Sequence, residues 1–361
     1  MIAIRRLESR PLDLRLHAPF GIAGGAQDAV RNVLVRVELA SGAVGWGEAA
    51  PLPAYNGETQ AGALKVLAEA RAVIEGAVFE DWRGAANVFR VAGGGACGSA
   101  QAGFEMALLD AWTREHRLGL PAFFGGAETT LETDMTITTG SVEDARRGVA
   151  EIHALGIRVI KVKVGGASVA HDLARLTAIH EAAPAAPLVI DANAALTLAE
   201  ALELAAGLKA AGITPALLEQ WLGKADLVGM RQLREATGWP VAADEAVVTA
   251  VDALRVAHAG AADVVNIKLM KAGIAAALDV AKVAREAGLG LMIGGNVESI
   301  LAMTVSACFA MGLGGFAYAD LDTPLFLAES PFEGGYGRTG GMLDVGHVTA
   351  GHGVEPNRSS E

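Results

Sequence analysis

The chain contains 361 residues, of which 52% are hydrophobic and 19% charged, and it carries a net charge of −12. This length and hydrophobicity suit a barrel of about 250 residues together with a smaller domain. Nucleic acid and anionic membranes require clustered lysine and arginine, so the acidic balance argues against both as partners and favours a soluble enzyme.

The first 125 residues are predicted to form an α+β domain. Its strand patterns all precede its helical patterns, an order that is typical of a separate α+β unit. We expect strands at 2–14, 30–39 and 46–52, and helices at 58–74 and 99–116. Ser99 is a candidate N-cap of the second helix.

From residue 126 onward, apolar strand-like runs alternate strictly with helical stretches rich in Ala, Leu and Glu. The runs are 134–138, 158–164, 187–191, 215–219, 240–244, 263–268, 290–294 and 316–320. Eight strands joined by seven crossover helices predict a modified (β/α)7β barrel of the TIM type over 126–322. An open, doubly wound sheet is the alternative. The segment 323–361 is expected to return to the first domain and to end in a mobile tail.

Several features bear on where the protein is found. The N-terminal segment lacks the apolar core and cleavage site of a signal peptide, which favours a cytoplasmic location. Cys97 and Cys308 lie far apart in apolar helical settings, as expected of reduced, buried thiols. The uncharged stretch 300–319 is long enough to cross a membrane. Because glycines interrupt it, we predict a buried helix, a turn and a strand there.

Three acidic residues each end an apolar run in successive strand-helix units: Asp191, Glu219 and Asp244. The C-terminal ends of barrel strands lie on one face, so these carboxylates are expected to converge. Hard oxygen ligands without His or Cys suit Mg²⁺ rather than Zn²⁺. The alternative is that each acid caps the following helix or pairs with a surface lysine.

Lysines flank this set of carboxylates. Lys161 and Lys163 lie two residues apart and therefore point to the same side of their strand. Two ammonium groups in close proximity are expected to lower each other's pKa, which would make one of them a base. Lys268 ends the sixth strand, across the barrel from the second, so a substrate between Lys163 and Lys268 could lose a proton to one and regain it from the other. The alternative is that Lys161 and Lys163 extend to solvent.

A set of short motifs occurs in a fixed order: Lys161-x-Lys163, Asp191-Ala-Asn193, Glu219-Gln220, Asp244-Glu245 and Asn266-Ile-Lys268. With these motifs and Gly45-Trp-Gly-Glu48, the chain resembles the muconate-lactonizing-enzyme subgroup of the enolase superfamily over nearly its whole length. The resemblance implies removal of a proton next to a carboxylate, with one Mg²⁺ per subunit stabilising the enediolate. It also implies that Lys161 tunes Lys163 and neutralises charge on the enolate, that Asn193 and Glu245 support the metal ligands, and that the subunits form a homo-oligomer.

The eighth strand ends in Asp320-Leu-Asp322, which is similar to the pattern of dipeptide epimerases. The resemblance to that group implies that the carboxylates of Asp320 and Asp322 bind the free α-ammonium of a dipeptide. The alternative is that a strand-end aspartate caps the following turn. Further substrate contacts are expected from Thr136, Thr138, Gly294, Gly295 and Asn296. The two glycines fit an ordinary turn into a helix nearly as well.

The resemblance is less direct for substrate specificity. Relatives that act on Ala-Glu often carry an arginine in the loop around residues 20–26, whereas this chain has Gly24. Trp221 stands where many relatives have proline, and it either lines the pocket or packs under the first domain. In the pocket it would favour bulky, apolar or cationic side chains.

The sequence therefore predicts a Mg²⁺-dependent dipeptide epimerase that works by two-base 1,1-proton transfer. One alternative is an N-acylamino acid racemase, an o-succinylbenzoate synthase or a muconate cycloisomerase-type lyase on the same barrel. A more remote alternative is a metal-binding barrel without catalysis.

Overall fold

The structure is a computed structural model that describes residues 1–22 and 25–357, without the side chains of residues 19, 20, 22 and 25–28. Its N-terminal region is a four-stranded antiparallel sheet covered by helices. In sheet order the strands are Val44–Ala49, Gly25–Leu39, Ile2–Ile22 and Val78–Phe79. The helices are Pro53–Asn56, Gln60–Ile74, Trp82–Val91, Gly98–Glu115 and Leu120–Phe123. Alternating apolar strand residues such as Leu7 and Val35 pack against Leu67 and Phe104, which forms a core separate from that of the barrel.

Two features of this region differ from the prediction. The helix Trp82–Val91 has no counterpart in the predicted pattern, although Asp81 caps its N-terminus. The assignment of Ser99 as an N-cap is wrong, because the helix begins at Gly98 and Ser99 lies inside it. The carboxylate of Glu58 accepts hydrogen bonds from Gly98 N (2.7 Å) and Ser99 N (3.1 Å). A residue distant in sequence thus satisfies the exposed amides of the first turn.

Eight parallel strands form the second sheet in the order in which they occur in the chain. We number these barrel strands one to eight: Met135–Ile137, Ile160–Lys163, Leu188–Asp191, Leu217–Glu219, Val241–Ala243, Val264–Lys268, Gly290–Gly294 and Phe316–Ala319. Strands one and eight meet where Asp134 N donates to the carbonyl of Ala319 (2.9 Å). The predicted barrel is confirmed, and the doubly wound alternative is wrong because it requires a reversal of the strand order.

Helices connect successive barrel strands: Val142–Ala154, Val169–Ala182, Leu198–Ala210, Leu227–Thr237, Ala250–Ala259, Gly273–Glu286 and Ile300–Leu313. Three of them begin with a capping box, in which a Ser or Thr and an acidic residue satisfy each other's backbone amides. The pairs are Ser141 with Asp144, Thr197 with Glu200, and Thr249 with Asp252. These local signals fix where each helix starts after its strand.

The apolar stretch 300–319 forms a helix, Ile300–Leu313, followed by a turn and barrel strand eight. The helix is buried around almost its whole circumference. Among the described residues, no helix is both long enough and apolar enough to cross a membrane. Cys308 lies in this helix, and both it and Cys97 are buried and free, as predicted.

The end of the chain returns to the N-terminal region, where Val354 packs with Leu12 and Leu14. His352 N donates to the Asp110 carboxylate (3.0 Å). The C-terminal strands are Phe332–Gly334 with Val354–Pro356, and Gly337–Thr339 with Met342–Asp344, which also pairs with Thr130–Glu132. Residues 358–361, to which the predicted mobile tail extends, lie outside the described residues.

One buried carboxylate joins the N-terminal region to the loop after barrel strand seven. Glu48 accepts hydrogen bonds from Ser299 N (3.0 Å), from the Ser299 hydroxyl and from Asn32 Nδ2 (2.6 Å). Asn32 Nδ2 also donates to the carbonyl of Val297 (3.0 Å). These contacts hold the N-terminal region over the C-terminal ends of the barrel strands.

Candidate active site at the mouth of the barrel

The three strand-end acids lie where neighbouring barrel strands end. In the register of the sheet, Asp191 pairs with Lys163 on one side and with Glu219 on the other. Asp244 directly follows strand five. All three carboxylates are 0% exposed. The barrel therefore gathers three acids that are up to 53 residues apart in sequence into one buried region.

A single ammonium group joins several of these acids. Lys161 Nζ lies 3.0 Å from Asp191 Oδ2, 2.8 Å from Glu219 Oε2 and 2.6 Å from Asp320 Oδ2. Burial disfavours the charged form of Lys161, but the surrounding carboxylates outweigh it and hold its pKa well above the ordinary value. Lys161 is therefore a fixed positive charge in the floor of the site.

Lys163 and Lys268 occupy opposite sides of the mouth, on strands two and six. Lys163 Nζ lies 2.6 Å from Asp191 Oδ2, and Lys268 Nζ lies 2.8 Å from Asp244 Oδ2. Burial opposes the charge of Lys268, but Asp244 and Glu219 outweigh it and raise its pKa. The expectation that a neighbouring lysine lowers the pKa of Lys161 is thus wrong, because carboxylates dominate its surroundings.

The three acids have the donor chemistry that a divalent cation requires. Glu219 Oε2 and Asp244 Oδ2 accept no hydrogen bond of normal geometry, although a lysine Nζ lies 2.8 Å from each. Burial and repulsion by Asp191 raise the pKa of Glu219, so the nearby Lys161 offsets only part of the cost of a negative charge on this carboxylate. Burial opposes the ionisation of Asp191, but Lys161 and Lys163 outweigh it and lower its pKa to about 2. Hard, buried carboxylate oxygens of this kind are the ligands that Mg²⁺ prefers.

Amide groups fix the orientation of these carboxylates. Asn193 N donates to Asp191 Oδ1 (2.8 Å), and Asn193 Nδ2 donates to Glu245 Oε1 (3.3 Å). Asn266 Nδ2 donates to Glu219 Oε1 (2.7 Å). Asn193 follows the end of strand three with a positive φ of 43°, a conformation that asparagine adopts more readily than most residues other than glycine.

A second acidic group lies next to Lys161, where barrel strands eight and one meet. Carboxylate oxygens of Asp134, Asp320 and Asp322 lie within 4.8 Å of one another, and all three residues are buried. Asp134 Oδ1 and Asp322 Oδ1 have no hydrogen-bond partner, while Asp322 Oδ2 accepts from Thr136 N (2.6 Å). Burial and repulsion by Asp320 raise the pKa of Asp322 to about 7. Such a cluster attracts a cation.

Asp134 is a member of this cluster that the sequence analysis missed. It precedes strand one as an ordinary polar residue, and no motif marks it. Only closure of the barrel brings it to Asp320 and Asp322, so no sequence signal could have found it.

Of the remaining predicted substrate contacts, the two threonines line a cavity, whereas the two glycines pack against other residues of the protein. Thr136 and Thr138 line a cavity of about 630 Å³ beside the helix Val142–Ala154. A side chain at Gly294 would come within 2.8 Å of Asn266, and one at Gly295 within 2.5 Å of Met303.

Asn296 at the same loop is buried and ties it to the N-terminal region, because its Nδ2 donates to the carbonyl of Ala50 (2.8 Å). Close packing of Gly294 against Asn266 and of Gly295 against Met303 accounts for both glycines without a substrate.

Of the two residues considered for substrate specificity, the structure places Trp221 and rules out its placement in the pocket wall. Trp221 is only 1% exposed, belongs to the barrel core and donates from Nε1 to the carbonyl of Ile190 (2.9 Å). It cannot select bulky substrates as an open pocket wall, because its ring is enclosed by the protein. Gly24 lies outside the described residues.

Two further side chains reach Asp244 without having been predicted. Tyr55 hydroxyl donates to Asp244 Oδ1 (3.2 Å), and its ring centroid lies 4.8 Å from Lys268 Nζ. Lys271 Nζ lies 2.8 Å from Asp244 Oδ1 and donates to the carbonyl of Asn266 (2.8 Å). A lone tyrosine in a loop and a lysine after a strand carry no pattern in a single sequence, so only the fold reveals them.

Comparison with known proteins gives consistent matches along the chain. Residues 6–125 match the family model of the mandelate racemase/muconate lactonizing enzyme N-terminal domain, and residues 143–360 match that of the enolase C-terminal domain-like family. The curated aromatic dipeptide epimerase of Herpetosiphon aurantiacus is 50% identical over 97% of this chain and 98% of its own length.

Solved structures extend this similarity to three dimensions. A mandelate racemase/muconate lactonizing protein from Herpetosiphon aurantiacus has a TM-score of 0.95 at 49% identity, over 98% of this chain and 99% of its own. A dipeptide epimerase from Enterococcus faecalis V583, complexed with Mg and the dipeptide L-Leu-L-Tyr, has a TM-score of 0.92 at 30% identity. That alignment covers 98% of this chain and 99% of the other.

Proposed function

This chain belongs to the mandelate racemase/muconate lactonizing enzyme family of the enolase superfamily, and we propose that it is a Mg²⁺-dependent dipeptide epimerase. The observation that carries the proposal is the placement of Lys163 and Lys268 on opposite barrel strands, each beside a buried carboxylate. Two such groups on opposite faces of one carbon allow a proton to leave from one face and return to the other. The product is the epimer at the α-carbon of the C-terminal residue.

In this proposal Asp191, Glu219 and Asp244 hold the metal. When bound, Mg²⁺ supplies positive charge next to the substrate carboxylate, which becomes more negative as the α-proton leaves. Asn193 and Asn266 keep two of the acids in position through their hydrogen bonds. The neighbouring Glu245 accepts from Asn193 and supports it in turn.

Lys163 and Lys268 transfer the proton in this proposal: the lysine that takes the α-proton must be neutral, and the lysine that returns a proton must be charged, with Lys161 as a permanent positive charge nearby. The side chains of Lys163 and Lys268 are 7% and 5% exposed, so bulk water has little access to a proton in transit. Lys161 contacts three carboxylates and offsets part of their charge when a substrate carboxylate enters. Exclusion of water strengthens these interactions.

Asp320 and Asp322 are proposed to bind the α-ammonium of the dipeptide. Their carboxylates lie next to each other and to Asp134, and an oxygen of Asp322 is free of hydrogen bonds. An ammonium group would supply a donor for that oxygen and further positive charge at once. A substrate with an acylated amine would leave Lys161 as the positive charge beside this acidic cluster.

We further propose that the preferred dipeptides carry aromatic or other large apolar side chains. The support is the 50% identity to a curated aromatic dipeptide epimerase. Competition between an X-Phe or X-Tyr dipeptide and Ala-Glu tests this preference. A higher kcat/KM for Ala-Glu would contradict it.

The decisive experiment is incubation of an L,L-dipeptide library with the protein and Mg²⁺ in D₂O, read by mass spectrometry and chiral separation. We expect deuterium at the α-carbon of the C-terminal residue together with inversion, and no inversion with Lys163→Ala or Lys268→Ala. Parallel reactions with N-succinyl amino acids and a succinylbenzoate precursor test the racemase and lyase alternatives. A library without any deuterium uptake would reject the epimerase.

Three broader predictions also remain proposals. We propose a cytoplasmic location, in keeping with the two free, buried thiols, and assembly into a homo-oligomer, to be tested by light scattering. The division into a capping domain (1–125), a barrel (126–322) and a returning segment (323–361) can be tested by limited proteolysis.

A further inference from the structure

Tyr55, from the N-terminal region, contacts both a proposed metal ligand and a proposed base. It lies in the short helix Pro53–Asn56, between the N-terminal sheet and the helix Gln60–Ile74. Its hydroxyl donates to Asp244 Oδ1 (3.2 Å), and its ring centroid is 4.8 Å from Lys268 Nζ. An ammonium group at this distance from an aromatic face is attracted electrostatically to the ring.

The segment that carries Tyr55 is anchored at both ends. Ala50 accepts a hydrogen bond from Asn296 Nδ2 (2.8 Å), and the Glu58 carboxylate accepts from Gly98 N (2.7 Å). Between these anchors, Pro53, Ala54, Asn56 and Gly57 are exposed while Tyr55 is partly buried. The segment thus presents one side chain inward to the barrel mouth.

Tyr55 and Lys268 contact different oxygens of the Asp244 carboxylate, and Lys271 Nζ lies 2.8 Å from the same oxygen as Tyr55. Lys268 Nζ lies 2.8 Å from Asp244 Oδ2, whereas the tyrosine hydroxyl contacts Oδ1. The carboxylate and the ring therefore restrain the Lys268 ammonium from two directions. Lys163 has its own carboxylate partner at 2.6 Å, but among the described residues no aromatic ring lies over it.

We propose that Tyr55 is a positioning residue for Lys268 and therefore acts on only one face of the substrate. This role rests on the proposed epimerase function. Lys268 has a long, flexible side chain, and its transfer of a proton requires its nitrogen to face the α-carbon at close range. Removal of the ring should impair proton abstraction from the epimer that Lys268 faces and spare abstraction from the other epimer.

The first test compares α-proton exchange in D₂O for each epimer of one dipeptide. Lys268→Ala identifies the epimer that depends on Lys268. We expect Tyr55→Leu to lower exchange of that epimer by about tenfold, equivalent to about 1.4 kcal/mol, and to change exchange of the other by less than about threefold. Tyr55→Phe keeps the ring and should retain most of the exchange. Equal losses for both epimers, or a Tyr55→Phe defect as large as that of Tyr55→Leu, would overturn the assignment.

The second test requires no substrate. An amine-reactive reagent is applied to the folded protein, and peptide mass spectrometry follows the labelling rates of Lys268 and Lys163. These side chains are matched in exposure, at 5% and 7%. Tyr55→Leu should speed labelling of Lys268 several-fold and leave Lys163 unchanged, whereas unchanged labelling of Lys268 would overturn the assignment. If the parent protein exchanges no dipeptide proton, the epimerase proposal fails and the labelling ratio still decides the role of Tyr55.

Discussion

Replacement of Asp320 by Asn removes one negative charge from the cluster proposed to bind the dipeptide ammonium. Asp320 Oδ2 lies 2.6 Å from Lys161 Nζ, and two other carboxylates contact the same lysine at 3.0 and 2.8 Å. The buried lysine therefore stays paired in the variant, whereas the substrate loses a charge-assisted hydrogen bond. Such a bond contributes about 1.5–3 kcal/mol, which corresponds to roughly 10- to 150-fold in kcat/KM.

The assay measures kcat/KM for an L,L-dipeptide and for its N-acetyl derivative, which carries no ammonium group. In Asp320→Asn, we expect the ratio of kcat/KM for the free dipeptide to kcat/KM for the acetylated one to fall by roughly 10- to 150-fold. The matched control is Asp279→Asn, which removes a surface carboxylate that is 60% exposed and paired with Arg83, and should change neither value. An unchanged ratio in Asp320→Asn would refute the assignment of the ammonium site.

Three other predictions concern the metal, the contact between the domains and a buried acid. Treatment with EDTA should abolish exchange, and Mg²⁺ should restore it, whereas full activity after exhaustive chelation would contradict a metal held by Asp191, Glu219 and Asp244. Glu48→Ala leaves several buried donors without an acceptor, so the free energy of unfolding should fall by about 3–5 kcal/mol in chemical denaturation; a loss below about 1 kcal/mol would contradict this. Burial raises the pKa of Glu105 to about 7 from its ordinary 4.5, so the unfolded chain releases this proton first as the pH rises. Stability should therefore fall between about pH 4.5 and 7 by up to about 3 kcal/mol, and Glu105→Gln should flatten that slope in thermal unfolding; an unaltered slope would assign it to other groups.

Local patterns in the sequence predict most of the barrel because its elements depend on near neighbours. Apolar runs of four or five residues mark the parallel strands, which are buried on both faces. Capping boxes such as Ser141 with Asp144 set the helix starts without help from the rest of the chain. The helix Trp82–Val91 was not predicted because it is short and carries no long apolar repeat.

Charges at strand ends could also be predicted as one group, because parallel strands in a barrel end on the same face. The directions in which the pKa values of these groups shift could not be predicted from the sequence. Lys161 and Lys163 are two residues apart in sequence, which suggests mutual repulsion, yet Lys161 contacts three carboxylates contributed by strands three, four and eight. A pKa depends on every charge nearby in space, so the sign of its shift follows from the tertiary structure.

Periodicity and strand ends in the amino-acid sequence are enough to predict the (β/α)7β barrel and the row of acids and lysines at its mouth. The tertiary structure fixes which of these groups face one another. It enclosed Trp221 in the barrel core, joined Asp134 to Asp320 and Asp322, and brought Tyr55 over Lys268. Each of these contacts joins residues far apart in the chain, and their distances depend on barrel closure and on the docking of the N-terminal region.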